Sequence, residues 1–260
     1  MLKCSMMSFP RAILGLLLVM AVFVPACRRA PSGIIVSCAG DSLTERGYPR
    51  YLRAALGRRG VRARVFNHGR SGNTTREYLA YLDGAAGEIG KERPDFVLIG
   101  LGTNDVRVDG DHVTGEEFAK NLRSIVAVFR EFRNRSGDRP EILLAAAPPV
   151  PPGTPYPFGP GSADRVTREI NPAIRAVAES LGAGFVDNYS PLARAPELLP
   201  EVHPLPEGYR IMAENWAAAI ASRLEGRGRG AALHLPGLGD KIQSSPTLFS
   251  VRQKPWRKIS

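Results

Sequence analysis

The sequence predicts an α/β fold in which helices cover both faces of a five-stranded parallel sheet, giving three layers. From residue 34 to 224, short runs rich in Val, Ile and Leu alternate with longer segments whose apolar residues recur at helical spacing. The run "DFVLIGLG" (95–102) is almost continuously apolar, as a parallel strand buried on both faces must be. Strands that alternate with helices pair in parallel through right-handed crossovers.

The five predicted strands are short, which is typical of the sheet of a small α/β domain. The fourth, "EILLAAA", is followed directly by a proline-rich loop, "PPVPPGTPYPFGPG" (148–161), which we expect to overhang any site at that end of the sheet. The predicted strands are 34–38, 61–66, 95–102, 141–147 and 183–187.

The helical segments carry start and stop signals as well as apolar faces. Thr114 and Glu117 match a capping box, Pro172 is expected to bend or divide its helix, and Pro206 lies near the first turn of the last one. A break is expected near Gly84, because glycine weakens a helix interior. The predicted helices are 48–60, 75–90, 114–135, 163–182 and 206–224.

The positive charge of this 260-residue chain is confined to its ends. The net charge is +10, of which residues 1–30 contribute +4 and residues 226–260 contribute +6, so that the segment 31–225 is neutral. A neutral central domain argues against a nucleic-acid partner. We therefore divide the chain into residues 1–26 (signal), 27–33 (linker), 34–225 (central α/β domain) and 226–260 (a basic, disordered tail).

The first residues have the pattern of an export signal. Lys3 and Arg11 precede the apolar run 12–24, which is too short for a comfortable membrane span and has the length of a signal-peptide core. The run ends in "VPAC", which resembles a lipoprotein cleavage site with Cys27 as the lipidated residue. Cleavage after Ala26 and an uncleaved anchor are the alternatives. All three place the domain outside the cytoplasm, in the periplasm or cell envelope, and lipidation would anchor it to the membrane.

The three cysteines, Cys4, Cys27 and Cys38, show no metal-binding spacing. Cys38 falls inside the first strand and is expected to be a buried core residue. The sequence predicts no metal and no cofactor.

Four polar segments follow predicted strands. Gly40 to Leu43 follow the first strand, 67–75 the second, 102–105 the third, and a segment with His203 comes after the fifth. Each alone is more typical of a turn than of a site. The carboxyl ends of parallel strands meet at one edge of the sheet, so the four segments are expected to converge there.

Together these segments resemble the four blocks of the GDSL or SGNH hydrolases, a family of esterases and lipases. The matching residues are Ser42 in "GDSL", Gly72 in "NHGRSGNT", Asn104 in "GTND" and His203 in "VHP". The resemblance covers about 34–220 and implies a flavodoxin-like five-stranded sheet. The "GxSxG" pattern of the other large serine-esterase fold is absent.

The resemblance assigns a role to each block. Ser42 would be the nucleophile and His203 its general base, because a serine hydroxyl needs a base to take its proton. The backbone N–H groups of Ser42 and Gly72 and the Asn104 amide would form the oxyanion hole. Asp41 and Asp105 are expected to be structural neighbours of the site. A phosphatase with Asp41 as nucleophile is disfavoured, since residue 43 is Leu where a second aspartate would be needed.

One position departs from the family pattern. The family usually carries Asp three residues before the histidine, and that position is Pro200 here. Glu201 is the favoured substitute acid. Another carboxylate, Asp187 or Glu197, or a backbone carbonyl that leaves a Ser-His dyad, remains an alternative.

These residues predict an exported serine esterase that hydrolyses short-chain acyl esters, chiefly acetyl esters, of a sugar or another polar alcohol. The expected partners are a small-molecule or glycan ester and, through a lipid anchor, the membrane. The alternative is a weak or inactive domain of the same fold that binds glycan or lipid, which Pro200 would explain.

Overall fold

The computed structural model describes residues 33–110 and 112–232, with side chains up to residue 227. The chain divides into two compact units, Met1–Ala221 and Ser222–Ser260, and the sheet and the site belong to the first. The predicted signal with Cys27, most of the linker and residues 233–260 of the predicted tail lie outside the described residues.

The sheet has five parallel strands in the order β2-β1-β3-β4-β5, which confirms the predicted fold class. After β2 the chain passes back over β1 to form β3 on the other side of it. The strand order therefore reverses between β1 and β3, and this is where ligands bind in open sheets of this kind. The strands are β1 (Ile34–Gly40), β2 (Ala63–Gly69), β3 (Phe96–Gly100), β4 (Glu141–Ala145) and β5 (Gly184–Val186).

Helices cover both faces of the sheet. Those with buried apolar faces are α2, α3, α4, α6 and α8. Two helices of four or five residues, α1 and α7, were not predicted from the sequence, whereas the four-residue α5 is the start of the predicted helix 163–182. The helices are α1 (Ser42–Glu45), α2 (Pro49–Arg58), α3 (Thr75–Gly90), α4 (Gly115–Arg130), α5 (Ser162–Arg165), α6 (Asn171–Leu181), α7 (Tyr189–Ala193) and α8 (Pro206–Ala232).

Alternate residues of the strands pack on opposite faces of the sheet. On one face, Ala39, Val97 and Ile99 belong to a cluster with buried side chains of α3, α4 and α6. On the other, the free thiol of Cys38 is buried, as predicted, and burial raises its pKa to about 12. Beside it the Tyr48 ring lies 5.7 Å from that of Trp216 on α8. Two apolar layers therefore hold the strand ends in fixed positions.

Helix α3 corrects the expected break near Gly84. It runs without interruption from Thr75 to Gly90, because Tyr78, Leu82 and Ile89 bury one continuous face against the core. Packing of this face outweighs the unfavourable helix propensity of one glycine.

The segment around Pro172 is divided, as expected, although the division precedes the proline. A π-helical turn, Val166–Ile170, separates α5 from α6, and Pro172 lies in the first turn of α6. Proline is tolerated there since its missing N–H would have no partner inside the helix.

Two helix ends differ from the sequence prediction. Thr114 caps α4 by accepting a hydrogen bond from the Glu117 N–H at 3.2 Å, but the Glu117 carboxylate accepts from Arg76 instead of completing a capping box. Helix α8 extends beyond residue 224 to Ala232, and residues 225–232 contain no proline that would end it. None of the described helices combines the length and the hydrophobicity needed to cross a bilayer.

Candidate active site

Ser42 is the first residue of α1, immediately beyond the end of β1. Gly40 closes the strand at a point with no room for a side chain, since a Cβ there would lie 2.2 Å from Thr44 Oγ1 and 2.4 Å from the Gly100 carbonyl oxygen. The chain then turns sharply at Asp41, so that Ser42 lies at the carboxyl edge of the sheet.

Asp41 stabilises this turn as the N-cap of α1. Its Oδ1 accepts a hydrogen bond from the Leu43 N–H at 2.9 Å, and its side chain is fully buried. Burial, with a smaller contribution from the nearby Asp105 carboxyl, raises the pKa of Asp41 to about 7. Asp41 therefore lies under the turn and fixes the backbone that carries Ser42.

The end of β2 and the loop that follows it pack directly against α1. The Asn67 side chain donates to the carbonyl oxygens of Thr44 at 3.1 Å and Glu45 at 2.9 Å. Gly69 is required at the end of β2, because a Cβ there would lie 2.1 Å from the Glu45 nitrogen. Gly72, further along the loop, has φ = +82°, a conformation that favours glycine.

Asn104 lies in a short 3₁₀ turn (Asn104–Val106) after β3 and connects it to the same loop. Its Nδ2 donates to the Asn73 carbonyl oxygen at 3.0 Å, and the nearby Arg107 Nη1 donates to the Gly72 carbonyl oxygen at 3.3 Å. The loop that carries Gly72 is therefore fixed to the turn that carries Asn104. Arg107 and Asn73 were not identified from the sequence, although both lie inside or next to the matched segments.

Asp105 connects this turn to the start of α3. Its Oδ1 accepts from the Thr75 N–H at 2.9 Å and from the Thr75 hydroxyl at 2.5 Å, and burial raises its pKa to about 6. The Arg165 side chain donates to the Asp105 carbonyl oxygen at 2.9 Å. This buried network of hydrogen bonds fixes the turn that carries Asn104.

His203 reaches Ser42 from a loop between the 3₁₀ turn Pro196–Leu198 and α8. Its Nε2 lies 2.9 Å from Ser42 Oγ, and its Nδ1 lies 3.3 Å from Glu201 Oε1. The Glu201 side chain is 51% exposed and that of His203 is 34% exposed. The structure therefore places Ser42, His203 and Glu201 in contact in that order. The contact between His203 and Glu201 is the longer of the two and is open to water.

The other candidate acids do not contact His203. Asp187 Oδ1 accepts from the Tyr189 N–H at 3.0 Å and the Ser190 N–H at 2.8 Å. Burial opposes ionisation of Asp187, but the hydrogen bonds from Ser190 and Tyr189 outweigh it and lower its pKa. Within the described part of the chain, neither Asp187 nor Glu197 forms a hydrogen bond with His203.

The proline-rich loop approaches the site through the segment that follows Asn104. The Val108 N–H donates to the Pro157 carbonyl oxygen at 2.9 Å, and the Ser162 hydroxyl donates to the Val106 carbonyl oxygen at 2.8 Å.

His68 does not take part in the contacts around Ser42. Its Nε2 lies 3.0 Å from the Glu92 carboxylate instead.

No group of three or more His, Cys, Asp or Glu side chains within residues 33–110 and 112–232 is arranged to hold a metal ion.

Comparison with known proteins identifies a family. The model of the GDSL-like lipase/acylhydrolase family matches residues 38–211, which include all four segments described above. No curated protein matches the chain.

Solved structures with the same fold include several esterases. An acetylxylan esterase, Axe2, from Geobacillus stearothermophilus is 24% identical, covers 73% of this chain and 94% of its own, and has a TM-score of 0.59. LAE5, an alpha/beta hydrolase enzyme from the metagenome of Lake Arreo, Spain, is 24% identical over 72% of this chain and 94% of its own, with a TM-score of 0.59. A carbohydrate acetylesterase family member from Sinorhizobium meliloti is 23% identical over 74% and 99%, with a TM-score of 0.55. At these identities the likeness establishes the fold.

Proposed function

Since the chain belongs to the GDSL-like lipase/acylhydrolase family and is a carboxylic ester hydrolase, we propose that it removes short acyl groups, chiefly acetyl, from a sugar or another polar alcohol. Ser42 is the nucleophile of this proposal, and the reaction passes through an acyl-enzyme. The observation that carries it is the 2.9 Å contact between Ser42 Oγ and His203 Nε2.

The first step is attack of Ser42 Oγ on the ester carbonyl carbon. His203 Nε2 accepts the hydroxyl proton as the new C–O bond forms, since a serine hydroxyl is a weak nucleophile until a base removes its proton. A separation of 2.9 Å is within the range that direct proton transfer requires.

The carbonyl oxygen becomes an oxyanion, which needs hydrogen-bond donors already in place. The backbone N–H groups of Ser42 and Gly72 have no acceptor among the described residues, and so both can donate to it. One N–H of the Asn104 amide is bound to the Asn73 carbonyl oxygen, which leaves the second for the oxyanion.

The tetrahedral intermediate then collapses. The C–O bond to the alcohol breaks, the alcohol leaves with the proton from His203, and Ser42 keeps the acyl group. A water molecule then attacks the acyl carbon and gives a proton to His203. The bond between the acyl carbon and Ser42 Oγ breaks, His203 returns the proton to Ser42 Oγ, and the carboxylic acid leaves.

Glu201 orients His203 and stabilises its protonated form in this proposal. A carboxylate at 3.3 Å from Nδ1 favours the tautomer with the proton on Nδ1, which leaves Nε2 free to accept. Both side chains face water, and Glu201 is therefore a weaker partner than a buried aspartate would be.

The acyl and alcohol groups are proposed from the surroundings and from the similar structures. Two of these are named as an acetylxylan esterase and a carbohydrate acetylesterase family member, and both names refer to acetyl esters of carbohydrates. The exposed rim beside Ser42 is polar, with Glu45, Arg46 and Arg70 among its side chains. The apolar run 12–24 and Cys27 support export to the cell envelope with a lipid anchor.

A second function, binding of glycan or lipid without turnover, follows from the position of Pro200. With proline there, His203 has only an exposed glutamate as its acid. A fluorophosphonate that reacts covalently with Ser42 would rule this out, because only an activated serine attacks it.

The test is hydrolysis of p-nitrophenyl acetate, butyrate and octanoate by the purified protein. We expect the highest kcat/KM for acetate and no activity above background in Ser42→Ala. Ser180→Ala is the matched control, because its hydroxyl donates to the Val177 carbonyl oxygen on α6 and contacts no site residue. Activity that survives in Ser42→Ala would disprove the assignment of the nucleophile.

A further inference from the structure

We propose that a cleft between α2 and the edge strand β2 binds the carboxylate groups of an acidic polysaccharide, and that the ester substrate is such a polymer. The cleft encloses about 450 Å³ and is lined by Pro49, Arg50, Arg53 and the β2 residues 63–66, which include Arg64. The ester part of this inference rests on the proposed function, whereas the carboxylate part rests on the charged residues of the cleft.

The three arginines supply positive charge without a neutralising partner. Arg50, Arg53 and Arg64 are all exposed, and none of them forms an ion pair with a carboxylate within the described part of the chain. No acidic residue lines the cleft. By contrast, Arg58 and Arg59 at the far end of α2 both pair with Glu214. Uncompensated charge is thus concentrated at the end of α2 that is nearer to Ser42.

Two of the three guanidinium groups are oriented by neighbouring rings and backbone. The Arg64 guanidinium lies 5.1 Å from the centroid of the Phe66 ring, and that of Arg50 lies 5.5 Å from the Tyr51 ring. Arg50 Nε also donates to the Gly47 carbonyl oxygen at 3.3 Å, which leaves its terminal nitrogens free. A planar guanidinium with free N–H groups binds a carboxylate through two parallel hydrogen bonds.

The cleft adjoins the turn that carries Ser42, although no residue of the Ser42 contacts lines it. Gly47, which accepts from Arg50, lies two residues beyond the end of α1, and Ser42 begins that helix. On the other wall, β2 continues to Asn67, whose side chain binds the Thr44 and Glu45 carbonyl oxygens. One ligand can therefore contact the arginines and the nucleophile only if it is extended, which favours a polymer over a single small anion.

A polysaccharide with uronic acid residues meets both requirements. It offers acyl groups on its hydroxyls for Ser42 and carboxylates at regular spacing for the arginines. An anionic membrane surface would also attract these charges, and the experiment separates the two.

The experiment compares the triple variant Arg50→Gln, Arg53→Gln, Arg64→Gln with a control that loses the same charge elsewhere, Lys120→Gln, Arg123→Gln, Arg168→Gln. The control residues are exposed and lie on α4 and the π-helical turn, and α4 packs on α3 and α6 rather than on α2. Each set is made in the active protein and in the Ser42→Ala background.

Binding of unacetylated polygalacturonate to the Ser42→Ala proteins is measured by calorimetry at low salt. We expect the cleft variant to bind about tenfold more weakly, as the loss of three exposed charge contacts predicts. The control should bind like the parent, and added salt should weaken binding of the parent. Equal weakening in both variants, or no binding by the parent, would overturn the proposal. The proposal would also be overturned if the parent bound phosphatidylglycerol vesicles but not polygalacturonate, and the cleft variant lost that binding.

Turnover separates this inference from the proposed function. The cleft variant should hydrolyse p-nitrophenyl acetate and acetylated neutral xylan at the parental rate, and show a raised KM with unchanged kcat on O-acetylated polygalacturonate. A protein with no esterase activity but with arginine-dependent binding would contradict the proposed function and leave the cleft assignment standing. An equal loss on all three substrates would contradict the cleft assignment.

Discussion

The contact between Glu201 and His203 yields a quantitative prediction for Glu201→Gln, which removes the charge and keeps the size of the side chain. Oε1 lies 3.3 Å from Nδ1, and the Glu201 side chain is 51% exposed. Two unit charges at this distance in a water-like medium attract by about 1.3 kcal/mol. Exposed ion pairs measure up to about 1 kcal/mol, and hydrogen bonds to charged groups reach about 1.5–3 kcal/mol.

We therefore expect Glu201→Gln to lose about 1–2 kcal/mol of transition-state stabilisation, which corresponds to a decrease in kcat/KM of about 5- to 30-fold. The buried acid of a protease triad, by comparison, is worth about 10⁴ in turnover when it is changed to its amide. The smaller figure follows from solvent exposure alone, since the chemistry is the same.

The assay is steady-state hydrolysis of p-nitrophenyl acetate across pH. Glu207→Gln is the matched control, because Glu207 is also an exposed carboxylate of this region and pairs with Arg210 instead of His203. A change below about twofold in Glu201→Gln would refute the contact and favour a Ser-His dyad. A loss above about 10³ would refute the argument from exposure.

Three further predictions follow from the site. Asn104→Ala should lower kcat by about 10²–10³ through loss of an oxyanion donor, with a further effect from the freed Asn73 loop, as single-turnover kinetics can measure. Gly69→Ala should lower both the melting temperature and kcat, because its Cβ would collide with the Glu45 backbone and displace the turn that carries Ser42; unchanged values would contradict that geometry. For Asp41→Asn, the melting-temperature difference from the parent should become more favourable as the pH rises from about 4 to 7. Burial raises the folded-state pKa of Asp41 to about 7, so the folded protein binds the proton more tightly than the unfolded chain and the parent loses stability across that window; a constant difference would count against it.

Much of the fold could be predicted from the sequence because the pattern of buried residues is regular. A strand such as β3 is apolar on both faces, and α4 buries one face at helical spacing. The short helices α1 and α7 left no such pattern. Four or five residues are too few to show a period, and these helices form where the ends of longer elements are already fixed.

The residues of the candidate site also differ in whether the sequence alone predicts them. Ser42, Gly72, Asn104 and His203 could be proposed from the sequence because each stands in a short motif at a strand exit or on the closing loop. Arg107 could not, since its role is a contact with a carbonyl oxygen 35 residues away in sequence, which depends on how two loops meet in space. Residue types carry information about chemistry, whereas the closing contacts of a loop become visible only in three dimensions.

The central claim is that Ser42 is a nucleophile activated by His203. Its most direct test is reaction with a fluorophosphonate, followed by peptide mass spectrometry that locates the adduct and by the rate of labelling in His203→Ala. The account predicts one adduct, on Ser42, which forms much more slowly in His203→Ala and not at all in Ser42→Ala. An adduct on another residue, or labelling of Ser42 at the parental rate without His203, would contradict it.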